Sequence, residues 1–259
     1  MRRLRVHWLP LLCLGAIALF TALGVWQLQR RVWKLDLIAR VTARVAAEPV
    51  AAPGPARWPG ITAASDEYRR VQLRGHWLAD REAAVLAVTI DGAGYWILTP
   101  LCTDEAGGWC VLVNRGFVPA EARSDAARVA RRRALESVPG AVTGLLRVSE
   151  PRGGFLRRND AAAGRWYSRD VLAIGTALRL TRWAPYFIDA EAAPSARASA
   201  PGAQPIAGLT VVKFRNAHLQ YAITWFALAL LSALGLRRSL SRGSSRTARA
   251  RRARTGAAR

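Results

Sequence analysis

The chain has 259 residues, 51% of them hydrophobic and ten of them tryptophan, and 39 Lys or Arg against 17 Asp or Glu give it a formal net charge of +22. That is too apolar for a disordered chain and long enough for one core, and a charge of this size first raises nucleic-acid binding. Its placement argues otherwise: all 17 acids lie between Asp36 and Glu191, Arg2, Arg3 and Arg5 precede the first apolar run, and nine arginines from Arg237 to Arg259 follow the last. The two ends carry +12 and the stretch between them +10. Such an arginine-rich tail can bind phosphates, but membrane orientation and anionic lipid account for it, and no nucleic-acid partner is expected.

In chain order, residues 1–7 read as a cytoplasmic N-terminus and Trp8 to Leu28 as a first transmembrane helix, because 21 uncharged residues at about 1.5 Å each span a hydrocarbon core of roughly 30 Å. A cleaved signal peptide fits less well: its apolar stretch would cover only about 7–15 residues and end at a small-residue site. Here the run ends Trp26-Gln27-Leu28-Gln29-Arg30-Arg31. Residues 29–215 form the domain between the spans. Helical spacing of Leu35, Leu37, Ile38, Val41 and Val45 carries the first helix on from Val32 to Val45, and Glu48 to Gly60, rich in Ala, Pro and Gly, reads as a linker.

Strands are predicted at Tyr68–Arg74, Ala84–Ile90, Tyr95–Leu98, Cys110–Asn114, Ala141–Val148, Tyr186–Ile188 and Leu209–Phe214. Arg123–Ser137 reads as a charged helix, and Ser168 followed by Asp170 as an N-cap opening a helix through Leu180. Ala190–Pro205 reads as a loop. The second transmembrane helix is Asn216–Leu236, also 21 residues, and 237–259 is a cytoplasmic arginine-rich tail. The fold class is therefore a membrane protein of α+β type, two transmembrane helices flanking a β-rich antiparallel sheet or open barrel with one or two short helices.

Arginine next to the second span holds that end in the cytoplasm. Arg30, Arg31, Lys34, Arg40 and Arg44 open a long segment that translocates largely regardless of charge. Both termini are then cytoplasmic and the domain is outside. Met-Arg-Arg-Leu-Arg at the start leaves no room for a mitochondrial presequence, so a bacterial inner membrane with a periplasmic domain is expected. In that oxidising compartment Cys102 and Cys110, flanking a five-residue loop symmetrically, suit a disulfide between paired strands, with two free thiols as the alternative.

No G-x-S-x-G, Walker loop or G-x-G-x-x-G is present, and His7, His76 and His218 are the whole histidine set. His76 reads as a surface imidazole at a strand end. His218 differs, because an ionisable group within a span pairs, faces a neighbouring helix or binds something. His218, Tyr221 and Trp225 at i, i+3 and i+7 place an imidazole and two aromatics on one face, beside Ala222 and Ala229. Gly15, Ala18 and Ala22 form a small-residue stripe on the first span, open to a partner helix or a flat ligand. Neutral imidazole is a common axial ligand of haem iron, and on spacing alone both an interfacial anchor and a cofactor ligand stay open.

The run Leu23-Gly24-Val-Trp26-Gln27-Leu-Gln-Arg30-Arg-Val-Trp33-Lys34 resembles the signature closing the first span of the Surfeit locus protein 1 family. Further blocks follow in that family's order: Glu67-Tyr68-Arg69-Arg70-Val71 with Gly75, Val113-Asn114-Arg115-Gly116-Phe117-Val118-Pro119, Glu150-Pro151, Arg157 with Asn159, and Trp166-Tyr167-Ser168-Arg169-Asp170. Tyr186-Phe187-Ile188-Asp189 and Asn216-x-His218-Leu-x-Tyr221-x-x-Thr224-Trp225-Phe226 complete a resemblance from about Leu14 to Leu230. Ala161 stands where many members have Pro, and the helix around Arg128 to Arg133 and the basic tail fall outside the pattern.

The resemblance implies an assembly factor for haem–copper terminal oxidases that binds haem a as cargo and aids its insertion into cytochrome c oxidase subunit I. Haem a synthase is a further partner, beside the lipid bilayer. His218 takes the place of the histidine that family members are thought to use, which makes it the expected axial ligand of the iron, and Trp225 matches a second family position. Tyr221 packs beside them. Arg30, Arg31 and Lys34 would lie just outside the membrane, where they could pair with haem propionates or act only as interfacial anchors. No bond need be made or broken, so an enzyme is not expected; the alternative is a scaffold that binds oxidase subunits without holding haem.

Overall fold

The structure is a computed structural model and describes residues 8–89, 92–105, 107–151, 154, 157–192, 204–208 and 216–256. The strand expected over 209–214, His7 and the N-terminal arginines lie outside these residues. By internal contacts the chain divides into two units: one holds α1 (Trp8–Ala46) as far as Ala39 together with α4 (His218–Gly256), and the other runs from Arg40 to Val212.

The helix unit contains two helices long and apolar enough to cross a membrane, over Trp8–Ala46 and His218–Ser241. They run antiparallel, since Phe20 meets Trp225 with ring centroids 5.7 Å apart while Gln27, two turns further along α1, meets His218 at the start of α4. Small residues let the backbones close: Ala222 and Ala229 are buried on α4, and Gly24 is buried on α1, where an added Cβ would lie 2.7 Å from the Phe226 ring. The outward faces carry exposed Leu11, Leu12, Leu19, Leu230, Leu231 and Leu234, an exterior that water does not favour.

The second unit is built on one eight-stranded sheet with the order β1-β2-β7-β8-β6-β5-β3 and β4 paired to β5. Its strands are β1 (Val50–Ala51), β2 (Arg70–Arg74), β3 (His76–Trp77), β4 (Ala83–Thr89), β5 (Gly92–Cys102), β6 (Cys110–Pro119), β7 (Ala141–Val148) and β8 (Trp183–Ala190). The sheet is mixed, which corrects the antiparallel expectation: β1 runs parallel to β2, and β8 parallel to β6. The physical reason is the long connection after β7, which carries α3 (Val171–Ala177) and returns β8 into the gap between β7 and β6, antiparallel to one and parallel to the other. Hairpin connections alone cannot do this.

Alternation along the strands splits the core in two. Val111 and Val113 of β6 face one side with Val71, Leu101, Leu146, Tyr186 and Ile188, and the supposed linker caps this side. It forms β1 and a 3-10 helix (Pro55–Gly60), and Trp58 meets Trp109 edge to face at 5.7 Å. Leu112 faces the other side with Leu98, Phe187 and Trp166, covered by Val171 and Ile174 of α3. Asp170 is the N-cap of that helix, accepting from the Ala173 N–H while the Val171 N–H donates to Ser149 Oγ, and the helix ends at Ala177 rather than at Leu180 because Arg179 takes a left-handed φ of 53°. The charged helix is α2 (Asp125–Glu136), capped by Ser124. Cys102 and Cys110 stand directly opposite on β5 and β6 and are disulfide-bonded, and His76 lies exposed with Nδ1 2.7 Å from Asp104 Oδ1.

Candidate functional site

The helix unit brings His218 against α1. Its Nδ1 lies 2.8 Å from Gln27 Oε1, and both residues are half-buried. Three residues of α4 at i, i+4 and i+7, His218, Ala222 and Trp225, turn toward α1: Trp225 stacks on Phe20, and Ala222 is buried. Gln27 is the partner of His218 that sequence reasoning missed. Its signal was present: a polar side chain near the end of an apolar run, inside the first family signature.

Tyr221, grouped with His218 by i+3 spacing, is 56% exposed and points away from this seam. Helix geometry explains the difference: the face set by the small residues on α4 follows i+4 and i+7, so i+3 falls on its outer edge. The stripe of Gly15, Ala18 and Ala22 does not receive α4 either. Gly15 has open space around it, and the seam on α1 follows Phe20, Gly24 and Gln27 instead.

Of the three expected cations, Arg31 and Lys34 continue the Gln27 face at i+4 and i+7 and are half-buried. Arg30 is exposed and stacks its guanidinium on the Trp33 ring at 4.5 Å. Among the described residues no group of three or more His, Cys, Asp or Glu gathers to hold a bare metal ion. Among the described residues of the helix unit His218 is the one imidazole, and it lies beside Gln27 with Arg31 and Lys34 further along α1.

The family-like blocks of the second unit meet elsewhere, around Asp189. Arg147 Nη1 donates to Asp189 Oδ2 at 2.9 Å and its Nε to Glu67 Oε1 at 3.2 Å. Arg169 donates to Glu150 at 2.6 and 3.0 Å, and Asn114 Nδ2 donates to Asp189 Oδ1 at 2.8 Å. Burial works against the Arg147 charge, but Asp189, Tyr68 and Glu67 outweigh it and hold the guanidinium above its ordinary pKa. Nearby, Asn159 Oδ1 accepts from the Tyr167 and Ser168 N–H groups. These residues brace strands against one another.

The class of protein so defined is a mixed-sheet domain flanked in sequence by two long apolar helices that pair with each other. A sequence model of the SURF1 family matches residues 14–230. The chain is 35% identical over 224 residues to Surfeit locus protein 1 of Gallus gallus, covering 80% of this chain and 67% of that protein. It is 36% identical over 225 residues to Surfeit locus protein 1 of Homo sapiens, with 80% and 69% covered, and 32% identical over 224 residues to a SURF1-like protein of Drosophila melanogaster, with 80% and 69% covered. The chain belongs to the SURF1 family.

Proposed function

We propose that this chain is a two-span inner-membrane assembly factor for haem–copper terminal oxidases, holding haem a until subunit I receives it. The match to the SURF1 family over residues 14–230 carries the assembly role, and the placement of His218 supports the haem assignment. His218 is the iron ligand in this reading, Trp225 the aromatic wall beside it, and Arg31 and Lys34, with Arg30 outermost, the partners of the propionates. Both termini are cytoplasmic and the mixed-sheet domain is periplasmic, with 8–28 and 216–236 as the spans. Subunit I is the recipient and haem a synthase the donor.

The scaffold alternative has its own support in an open apolar groove of about 500 Å³ on the domain, lined by Trp58, Val171, Leu172, Trp183 and Pro185. Purification from cells that make haem a separates the two readings. The haem reading expects near-stoichiometric haem with a reduced-minus-oxidised spectrum; the scaffold expects oxidase subunits bound to a haem-free protein.

A further inference from the structure

We infer that Gln27 is a positioning residue that holds His218 as its Nδ1–H tautomer and leaves Nε2 as the open nitrogen. The argument starts from the 2.8 Å contact between His218 Nδ1 and Gln27 Oε1. An amide oxygen has lone pairs and no proton, so it can only accept, and the imidazole must donate through Nδ1. A neutral imidazole has one N–H, so Nε2 then carries the free lone pair. Between two apolar helices that hydrogen bond is stronger than in water, and leaving either partner unsatisfied costs more.

A neutral acceptor matters here. An amide oxygen orients the ring through Nδ1 without bringing a charge into the apolar seam. The use of that nitrogen for iron rests on the haem reading above, whereas the tautomer is a property of the haem-free protein.

The test is nitrogen NMR on full-length protein labelled with ¹⁵N-imidazole histidine, free of haem, in phosphatidylcholine–phosphatidylglycerol nanodiscs. His218 is assigned by the signals lost in His218→Ala. Wild type is expected to show the Nδ1–H pattern. In Gln27→Leu the Nδ1–H population should fall at least about fivefold as the proton returns to Nε2. Wild type with its proton on Nε2, or an unchanged pattern in Gln27→Leu, overturns the inference. If these patterns appear and His218→Ala still retains haem, the haem reading fails while the positioning by Gln27 stands.

Discussion

Arg147 and Asp189 meet at 2.9 Å on one face of the sheet, the arginine on β7 and the aspartate on β8, with side chains 12% and 2% exposed. Asp189 also receives Asn114 from β6, so one carboxylate ties together three adjacent strands, including the parallel pair that the long connection creates.

Removing that carboxylate takes the acceptor from half-buried Arg147 and from buried Asn114 together. Asp189→Ala is expected to lower the stability of the full-length protein by about 1.5–3 kcal/mol, because hydrogen bonds to a charged group are lost on both sides. Arg70→Ala breaks a bidentate pair with Glu191 that is about one-third exposed and should cost less than about 1 kcal/mol. Denaturant titration of both variants in one detergent checks the contrast, and equal losses would mean that Asp189 is not the keystone.

Asp66 gives the domain an acid limit. Burial raises its pKa, but the Ser65 hydroxyl, the Thr62 N–H, Arg69 and Arg57 together hold it below its ordinary 3.8. A carboxyl depressed in the folded state stabilises above its unfolded pKa and loses that contribution as pH falls through the folded value. Asp66→Asn should therefore be less stable than wild type at neutral pH by about 1–3 kcal/mol, with the gap closing below pH 3.8. Paired urea titrations across that range read the difference; a gap that widened toward acid would contradict it.

The elements with strong local signals were legible in the sequence: both apolar helices, the continuation of α1 past Val32, the Asp170 cap of α3 and the Cys102–Cys110 pairing. Sheet order was not. Whether β8 pairs parallel or antiparallel is decided by where α3 packs, and strand alternation carries no information about that. The stretch around Trp58 was taken for a linker because Ala, Pro and Gly dominate it, although its tryptophan closes one core. At the helix seam, spacing made His218 and Trp225 readable as residues facing α1, but it groups exposed Tyr221 with them because i+3 and i+4 look alike until the partner helix selects a face. Gln27 required knowing that the two helices run antiparallel with residues 27 and 218 level.

Gly24 sets how closely those helices approach. Gly24→Leu is expected to destabilise the helix pair by about 1–3 kcal/mol, since the built Cβ already lies 2.7 Å from the Phe226 ring. Gly24→Leu combined with Phe226→Ala should recover most of that loss, because the second change empties the space the first one needs. Thermal midpoints of the single and double variants in detergent check this, and a double variant no better than the single would show that Phe226 is not what Gly24 accommodates.

Haem a retained by wild type and by His218→Ala, purified side by side from cells that make haem a, tests the central claim most directly. The account predicts a near-stoichiometric haem spectrum in wild type and its loss, by at least about tenfold, in the variant, with the folded domain intact by limited proteolysis. Equal haem content with an unchanged spectrum in His218→Ala would contradict it.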